Sequence, residues 1–441
     1  MKQYTISQPA KVAVLIAFFA LALVTAVLMT ACNGVTPREV KTLTLTSEEQ
    51  VINRQQNEFT LNLLKQVNAN EEGENVFLSP LSVAIVCGMT ANGAEGNTLG
   101  QILKTIGAEG YSVDDLNEYY KNILTNIPYL DAKTDINIAD AIWLDDGCKA
   151  KDAFVQANKT YYFAAVENTN LQDPAIVKII NSWAERNTKG LIKEVVKESD
   201  FNELTRMVIA NAIYFKGKWE EEFKAGDTQT EDFTLADGKT TSVRMMNQHE
   251  EFYVMPDGRY EWNSATYEMV KVEDYTARML RMYFKDKAYC MDIVLPRAGI
   301  SCDNYLARLD MDELNRLQGL MEHADVEVRL PKFSLKYHRS LNDDMKALGM
   351  TDIFDDKLAD LSGITAEEQL FLSRLFQDAF IEVDEEGAKA AAVTVAIDEA
   401  MSAEPVEMAP FIVNRPFLLF IREAKYGTIL FAGKIGHPAT E

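Results

Sequence analysis

The chain has 441 residues, 47% of them hydrophobic, which is enough apolar material for a large buried core. Its 44 basic and 67 acidic residues give a net charge of −23, and the basic residues form no cluster. Nucleic acids and other polyanions are therefore excluded as expected partners, because they bind clustered Lys and Arg. No repeat and no linker rich in Pro, Gly or Ser divides the sequence, so one large domain is predicted.

The N-terminus has the pattern of an export signal. Lys2 and Lys11 precede a long run without charge over residues 12–29, and this run is followed shortly by Ala31 and Cys32. A basic start, an apolar middle and small residues at the end are typical of such signals. The cysteine directly after Ala31 resembles a bacterial lipoprotein signal, in which Cys32 carries the lipid after cleavage. The alternative is an uncleaved membrane anchor, because the run is near the ~18 residues that indicate a span.

Both interpretations place the folded part outside the cytoplasm. The predicted division is a lipoprotein-type signal peptide over residues 1–31, a polar tether over 32–46 and a single folded domain over 47–441. We expect the mature protein to be lipid-anchored to the bacterial cell envelope through Cys32. The alternatives are secretion and retention by the uncleaved signal.

Hydrophobic periodicity predicts helices mainly early in the chain and strands mainly late, which favours an α+β fold over an alternating α/β fold. Residues 75–98 are predicted to contain a short strand, a turn at Ser79-Pro80 and a buried helix. Further helices are predicted at 47–67, 112–126, 174–188 and 341–348. Further strands are predicted at 136–144, 207–215, 326–337, 376–383, 416–422 and 428–434, with several more between 233 and 295.

The residues that commonly form catalytic and metal sites are not arranged in a recognisable motif. The histidines are His249, His323, His338 and His437, and none of them begins the H-E-x-x-H helix of zinc proteases. No G-x-S-x-G elbow, P-loop or dinucleotide-binding glycine motif occurs. The sequence therefore predicts neither an enzyme nor a metal or cofactor site.

Besides Cys32, the cysteines are Cys87, Cys148, Cys290 and Cys302. None of them lies in a CxxC pair or at the spacing of zinc ligands. Cys290 and Cys302 are near enough in sequence to allow a disulfide, but the spacing does not decide whether they pair. No disulfide framework is predicted.

Residues 383–402, VDEEGAKAAAVTVAIDEAMS, have conflicting conformational preferences. The alanines favour a helix, whereas the Val-Thr-Val that follows favours a strand. Every second residue from Ala388 to Ala396 is small, so this face could enter a crowded sheet with few clashes. Gly387 comes just before it and supplies backbone freedom. The alternative interpretation is an Ala-rich exposed helix or a linker.

Seven motifs follow one another in an order that resembles the serpin family over about residues 48–438. They are FLSPLSVA (77–84), IINSWAERNTKGLI (179–192), NAIYFKGKWEEEF (211–223), LPKFSLKY (330–337), DLSGI (360–364), VDEEGAKAAA (383–392) and NRPFLLFIREAKYGTILFAGKI (414–435). The resemblance implies an α+β serpin fold with three β-sheets, eight or nine helices and an exposed reactive-centre loop. It also implies a metastable native state and a monomer.

The resemblance further implies an inhibitor of serine proteases, with cysteine proteases as an alternative target. The protease cuts the loop, which then enters the largest sheet as a new strand and carries the acylated protease with it. The implied reactive bond is Met401–Ser402, with Ala400 and Ala403 as alternative positions. Methionine before the bond suits the apolar pockets of chymotrypsin-like and elastase-like enzymes. The implied hinge residues are Glu385, Glu386, Gly387, Ala388, Ala390, Ala391, Ala392 and Thr394.

Polar residues of the family's central sheet also have counterparts in this sequence. The family's shutter and breach regions are matched by Ser79, Ser82, Asn211, Gln377, Trp219 and Lys332. Gln377 stands where the family usually has histidine, and its amide can donate and accept hydrogen bonds but cannot titrate. Lys332 and Glu385 match a pair that bridges the top of the hinge. The alternative for this pair is an ordinary exposed salt bridge, worth under ~1 kcal/mol.

The alternative function is that of a non-inhibitory serpin, which acts as a binding, carrier or structural protein. Non-inhibitory members generally have charged, bulky or proline-bearing hinges. The small side chains of Ala390, Ala391, Ala392 and Thr394 favour the inhibitor. Ala388 and Lys389 depart from the threonine-glutamate that is common after the hinge glycine.

Overall fold

The computed structural model describes residues 39–71, 74–202, 205–263, 268–272, 275–367, 369–387 and 408–439. Nine α-helices lie within these ranges. They are α1 (Ser47–Ala69), α2 (Pro80–Ala91), α3 (Gly96–Thr105), α4 (Val113–Asn126), α5 (Asp152–Tyr161), α6 (Ala175–Asn187), α7 (Cys302–Arg308), α8 (Met311–Gly319) and α9 (Asn342–Ala347).

The strands occupy most of the second half of the chain. They are β1 (Asn75–Leu78), β2 (Asp135–Asp145), β3 (Ala165–Thr169), β4 (Met207–Lys216), β5 (Gln229–Thr234), β6 (Thr240–Val254), β7 (Arg259–Asn263), β8 (Glu268–Val272), β9 (Ala277–Tyr283), β10 (Tyr289–Pro296), β11 (Glu322–Pro331), β12 (Phe333–Ser340), β13 (Phe376–Val383), β14 (Phe411–Ile412), β15 (Phe417–Glu423) and β16 (Ile429–Ile435).

The strands form three sheets and a separate hairpin. Two of the sheets are continuous with each other and share the strand order β1-β16-β15-β10-β9-β6-β11-β14, and β5 also pairs with β6. These two sheets meet where Tyr253 and Val254 of β6 pair with β9. The third sheet consists of two ladders, β3-β2-β4 and β13-β12, which lie side by side because β4 and β13 are neighbours. The hairpin joins β7 and β8. The predicted α+β fold is confirmed.

Local signals explain where the first helices begin and end. At the start of α1, the Thr46 hydroxyl accepts a hydrogen bond from the Glu49 N–H (3.2 Å), and the Glu49 carboxylate accepts one from the Thr46 N–H (2.7 Å). Every residue of α2 is buried, as predicted, but the helix ends at Ala91. A Cβ on Gly93 would lie 2.2 Å from the Ile364 side chain. Only glycine, which has no Cβ, allows the backbone to come this close to Ile364.

The sequence predicts one strand over residues 326–337, whereas the structure has two strands in different sheets. β11 pairs with β6, and β12 pairs with β13. Lys332 lies between them, and its N–H donates to the Arg244 C=O at 2.7 Å. The alternation of buried and less buried residues shifts by one position at this junction, because Leu330 and Pro331 are both buried and Phe333 is the next buried residue.

The ladder formed by β2 and β4 packs against a different apolar cluster on each face. Ile142 and Leu144 of β2 belong to the main core, whereas Ala141 and Trp143 belong to a small cluster beneath α6. The Trp143 ring meets the Trp183 ring of α6 edge to face at 5.4 Å. Helix α6 therefore covers the outer face of this ladder.

Cys87, Cys148, Cys290 and Cys302 are all buried free thiols. Cys290 and Cys302, for which the sequence left pairing open, are therefore not joined. Among the residues that the structure describes, no cluster of His, Cys, Asp and Glu could hold a metal ion.

Two further observations concern the predicted tether and membrane anchor. Leu43 and Leu45, within the range predicted as the tether, are buried in the main core. No helix in the described ranges is long and apolar enough to cross a membrane.

Candidate functional site

The candidate site lies along the boundary between β4 and β13. β4 pairs along its full length with β2, and β13 pairs along its full length with β12. β4 and β13 are neighbours, but no backbone ladder joins them in the described part of the chain. Each strand therefore has an edge that faces the other, and an extended segment between the strands would pair with both.

Two cavities lie along this boundary, and each is lined from both strands. The shutter cavity is lined by Ser82 of α2, Asn211 of β4 and Gln377 of β13, among others. The breach cavity is lined by Phe215 of β4 and Val383 of β13, among others. Packing between the strands is incomplete at both places, which lowers the cost of separating them.

β13 ends in a tight turn that begins the predicted hinge. The Gly387 N–H donates to the Asp384 C=O at 3.2 Å, and the Asp384 N–H donates to the Gly387 C=O at 3.3 Å. Gly387 has a φ of 101°, and a Cβ there would lie 2.4 Å from the Trp219 backbone nitrogen. Glycine is therefore required both by the backbone conformation and by the close approach.

Three neighbours hold Glu385 at the top of the hinge. The Lys332 Nζ lies 2.6 Å from the Glu385 carboxylate, the Thr228 hydroxyl donates to that carboxylate at 2.8 Å, and the Phe223 N–H donates to the Glu385 C=O at 2.8 Å. Burial alone would raise the pKa of Glu385, but hydrogen bonds, the one from Lys332 foremost, outweigh it and lower the pKa. The Lys332 and Glu385 side chains are 34% and 13% exposed, so this pair is better shielded than an ordinary surface salt bridge.

Trp219 covers one side of the breach cavity. Its side chain is 1% exposed and stacks on Phe284 with 4.8 Å between ring centroids. The indole N–H donates to the Asp384 C=O at 3.0 Å, and the Trp219 backbone N–H donates to the Glu386 C=O at 3.2 Å. The resemblance indicates Trp219, but no motif indicates Phe284 or Thr228.

The predicted shutter residues form two hydrogen-bonded groups rather than one. The Gln377 amide donates to the Ser79 C=O at 2.6 Å, and the Ser79 hydroxyl donates to a backbone C=O of β16 at 2.8 Å. The Ser79 oxygen also accepts from the Ser82 N–H (3.4 Å) at the start of α2. Asn211 instead donates to the Asp140 carboxyl of β2 at 2.8 Å.

Several side-chain oxygens of this region are buried and have no hydrogen-bond partner among the described residues. They are Ser82 Oγ, Asp140 Oδ2, Asn211 Oδ1 and Gln377 Oε1. A buried polar group without a partner costs roughly 1–3 kcal/mol. The sequence analysis does not identify Asp140, because only the register of β2 against β4 places it opposite Asn211.

The remaining predicted site residues lie outside the described part of the chain. They are Cys32, Ala388, Ala390, Ala391, Ala392, Thr394, Met401 and Ser402. The description resumes at Met408, and Arg278 then donates to the C=O groups of Ala409 (3.1 Å) and Pro410 (2.9 Å). Beyond this point β14 pairs with β11, so described contacts hold the chain on both sides of residues 388–407.

Comparison with known proteins assigns this arrangement to a family. The family described as serpin (serine protease inhibitor) matches residues 54–438. The chain belongs to the serpin family. Neuroserpin of Gallus gallus is 32% identical over 384 residues, which are 86% of this chain and 90% of neuroserpin. The family description supports inhibition of proteases as the general activity.

Solved structures show the same serpin fold. Tengpin, a thermophilic serpin crystallised in its native state, matches with a TM-score of 0.76 and 27% identity, over 90% of this chain and 97% of tengpin. A thyroxine-binding globulin complex with thyroxine matches with a TM-score of 0.74 over 89% of this serpin and 100% of the globulin. At 24% identity, the globulin supports the fold alone.

Proposed function

We propose that this serpin inhibits chymotrypsin-like or elastase-like serine proteases by cleavage at Met401–Ser402, loop insertion and covalent trapping. The observation that carries the proposal is the unpaired boundary between β4 and β13, which begins beside the glycine turn at Gly387. A strand inserted there would find a free backbone edge on each side.

The chemistry requires only the catalytic residues of the protease. The protease serine attacks the Met401 C=O, the Met401–Ser402 bond breaks, and the Ser402 amine leaves with a proton. An ester then joins the protease to Met401. As an inserted strand, residues 387–401 would extend roughly 50 Å at ~3.3 Å per residue. Movement of the bound protease over this distance would precede hydrolysis of the ester.

The hinge sequence is compatible with insertion. Strand alternation places Ala388, Ala390, Ala392 and Thr394 on one face, and all four side chains are small. The two cavities and the unpartnered polar oxygens indicate that the boundary is imperfectly packed before insertion. A new central strand would improve both packing and backbone pairing, which supports a metastable intact state.

The second candidate function is that of a non-inhibitory serpin that binds another molecule. The observation in its favour is that a protein of the same fold, thyroxine-binding globulin, is found in complex with thyroxine. Such a protein would have no need for its loop to insert. The two candidates therefore differ in what cleavage of the loop does to the rest of the molecule.

The test is incubation of the purified protein with an elastase or a chymotrypsin, followed by SDS electrophoresis. We expect a complex that survives SDS, and mass spectrometry should place the acyl bond at Met401. Loop-cleaved protein should also unfold at a markedly higher temperature than intact protein, because a strand has been added. Cleavage without an SDS-stable complex, together with equal melting temperatures, would favour the binding protein.

Two hinge variants make this test specific. Ala388→Arg would bring a charge into the packed interior of the sheet, which costs several kcal/mol unless the charge is paired. We expect this variant to be cleaved as a substrate, because slow insertion lets the ester hydrolyse. Lys389→Arg is the matched control, since alternation turns residue 389 outward and the position already carries a positive charge, and it should still form the complex.

We also propose that the inhibitor acts at the cell envelope, attached by a lipid on Cys32 after removal of residues 1–31. The support is the basic, apolar and small-residue pattern that ends at Ala31-Cys32. In this setting the target proteases are those that reach the outside of the cytoplasm.

A further inference from the structure

Asp140 is a carboxyl buried in the ladder that borders the shutter cavity, and the proposed mechanism does not use it. It is 5% exposed and lies directly opposite Asn211 in the pairing of β2 with β4. Ile142 of β2 and Ile213 of β4, two residues further along each strand, belong to the main core. By strand alternation, Asp140 and Asn211 point into the same core.

The hydrogen bonding of this pair is half complete. An Asn211 amide N–H donates to Asp140 Oδ1 at 2.8 Å. The other oxygen of each side chain, Asp140 Oδ2 and Asn211 Oδ1, is buried and has no partner in the described ranges. Two such oxygens attract each other only when one of them carries a proton. A protonated carboxyl and an amide form a ring of two hydrogen bonds, in which the carboxyl O–H donates to the amide oxygen.

We propose that Asp140 and Asn211 form a proton-dependent latch between β2 and β4. The latch is closed by two hydrogen bonds when the Asp140 carboxyl is protonated. It is weakened to one hydrogen bond, with two acceptor oxygens left in the core, when the carboxyl is ionised. The proton thus decides whether the Asn211 amide is fully engaged with β2.

The surroundings of Asp140 favour the protonated form near neutral pH. Burial raises the pKa of Asp140 to about 7, and only the hydrogen bond from Asn211 opposes this shift. Tyr162 is neutral, because burial, followed by the interaction with Asp140, raises its pKa well above the usual range. Cys87 in α2 and Tyr120, which interact with Tyr162 or with each other, are neutral too, because burial raises the pKa of Cys87 to about 12 and that of Tyr120 well above its usual range. Ser82 of α2 and Gln377 of β13, which line the shutter cavity with Asn211, are neutral. The charged groups in that lining are paired elsewhere, Arg374 with Asp200 and Asp378 with His338. Burial and the Asn211 hydrogen bond are the influences on the pKa of Asp140, and no cation of the described residues stabilises the ionised carboxyl.

The latch gives the intact protein a defined dependence on pH. The pKa of Asp140 is raised from 3.8 to about 7 on folding, so the folded state binds the proton more tightly than the unfolded chain does. The stabilisation is complete below about pH 4 and is lost as the pH rises through about 7. Between the two pKa values, each pH unit changes the equilibrium constant for unfolding ten-fold, so the total change is at most about a thousand-fold.

The position of the latch connects this pH dependence to the boundary between β4 and β13. Asn211 lines the shutter cavity together with Ser82 and Gln377, whose free oxygens offer it alternative partners. We expect the boundary to open more readily on the alkaline side of pH 7. This inference concerns the intact protein and holds whether or not the protein traps proteases.

The decisive variant is Asp140→Asn. Asparagine keeps the acceptor for the existing hydrogen bond and can donate the second one, but it does not titrate. Melting temperatures of intact wild type and variant should be compared from pH 5 to pH 9. We expect the wild-type value to fall relative to that of the variant between pH 5 and about pH 7 and to level off above it, with the variant the more stable protein at pH 9. Parallel curves over the whole range would overturn the latch.

A direct measurement on the wild type covers the case in which the variant fails to fold. The carbon-13 signal of the Asp140 carboxyl in protein labelled at aspartate should titrate with a midpoint near 7, and this signal should be missing from Asp140→Asn spectra if that variant folds. Asp378→Asn serves as a second assignment control, because Asp378 lines the shutter cavity and is paired with His338 at 2.8 Å. If no aspartate carboxyl titrates above pH 5.5, or if the one that does persists in Asp140→Asn, the latch is wrong.

Discussion

Among single residues, Gly387 has the most restrictive surroundings in the site. Its φ of 101° and its approach to Trp219 combine a backbone preference with a steric limit. The neighbouring Glu385 is fixed by Lys332, Thr228 and a backbone N–H. The start of the predicted hinge is therefore held in place by these contacts, and the proposed insertion would have to break them.

We predict that Gly387→Ala destabilises the intact protein by about 2 kcal/mol or more, because the new Cβ clashes with the backbone in a conformation that L-residues avoid. Gly100→Ala is the matched control. Gly100 lies inside α3, and nothing lies within 4 Å of a Cβ there, so this change should stabilise by about 0.5–1 kcal/mol. Urea unfolding midpoints compare the two variants. Similar shifts in both would contradict the tight turn at 387.

Among the elements beside the site, α6 packs on the outer face of the ladder formed by β2 and β4. It covers the ladder of β2 and β4 through a small cluster that includes Ile176 and Ile180, and it lines the shutter cavity through Trp183. Any widening of the boundary between β4 and β13 is therefore coupled to the packing of this helix. The consecutive residues Ile179 and Ile180 allow the packing of α6 on the ladder to be measured.

We predict that Ile180→Ala costs about 2–4 kcal/mol, because it leaves a cavity beneath α6. Ile179→Ala should stay within about 0.5 kcal/mol of the wild type. The Ile180 side chain is fully buried, whereas Ile179 is 44% exposed. Thermal or urea unfolding of the two variants provides the comparison. Equal losses would mean that α6 does not rest on the ladder in the way described.

At the scale of the whole molecule, the family match and the proposed export signal occupy separate parts of the sequence. The family match covers residues 54–438, and the export pattern ends before it, at Ala31-Cys32. Buried apolar side chains begin before α1, at Leu43 and Leu45. Attachment of a lipid at Cys32 would therefore leave the folded domain unchanged and would set only its location.

We predict that Cys32→Ser moves the protein from the detergent phase to the aqueous phase, or blocks removal of the signal. The physical reason is that lipid chains supply about 0.8 kcal/mol of membrane affinity per buried CH₂, which a hydroxyl cannot replace. Asn33→Ser is the control, since it alters the adjacent residue and keeps the thiol. An unprocessed N-terminus on the mature wild-type protein, shown by mass spectrometry, would contradict the lipoprotein.

Particular elements show how much of the secondary structure the sequence predicts. Strand β13 is found over the predicted residues 376–383, and α4 over nearly all of 112–126, because their apolar periods are regular and their ends carry local signals. Helices α3, α5, α7 and α8 were not predicted. They are short, from 7 to 10 residues, so each offers too few turns for a clear period.

The sequence by itself determined the family, the α+β class and several residues around the site, because serpin motifs are local strings whose order is visible without coordinates. Trp219 and the pairing of Lys332 with Glu385 followed from those strings, and the structure brings that pair to 2.6 Å. Only the tertiary structure decided that β4 and β13 lack a shared ladder, and that Asn211 engages Asp140 rather than Ser79 or Gln377. These facts depend on strand register and on contacts between residues about 70 or more positions apart. Such contacts arise from the packing of the whole core, and no local pattern records them.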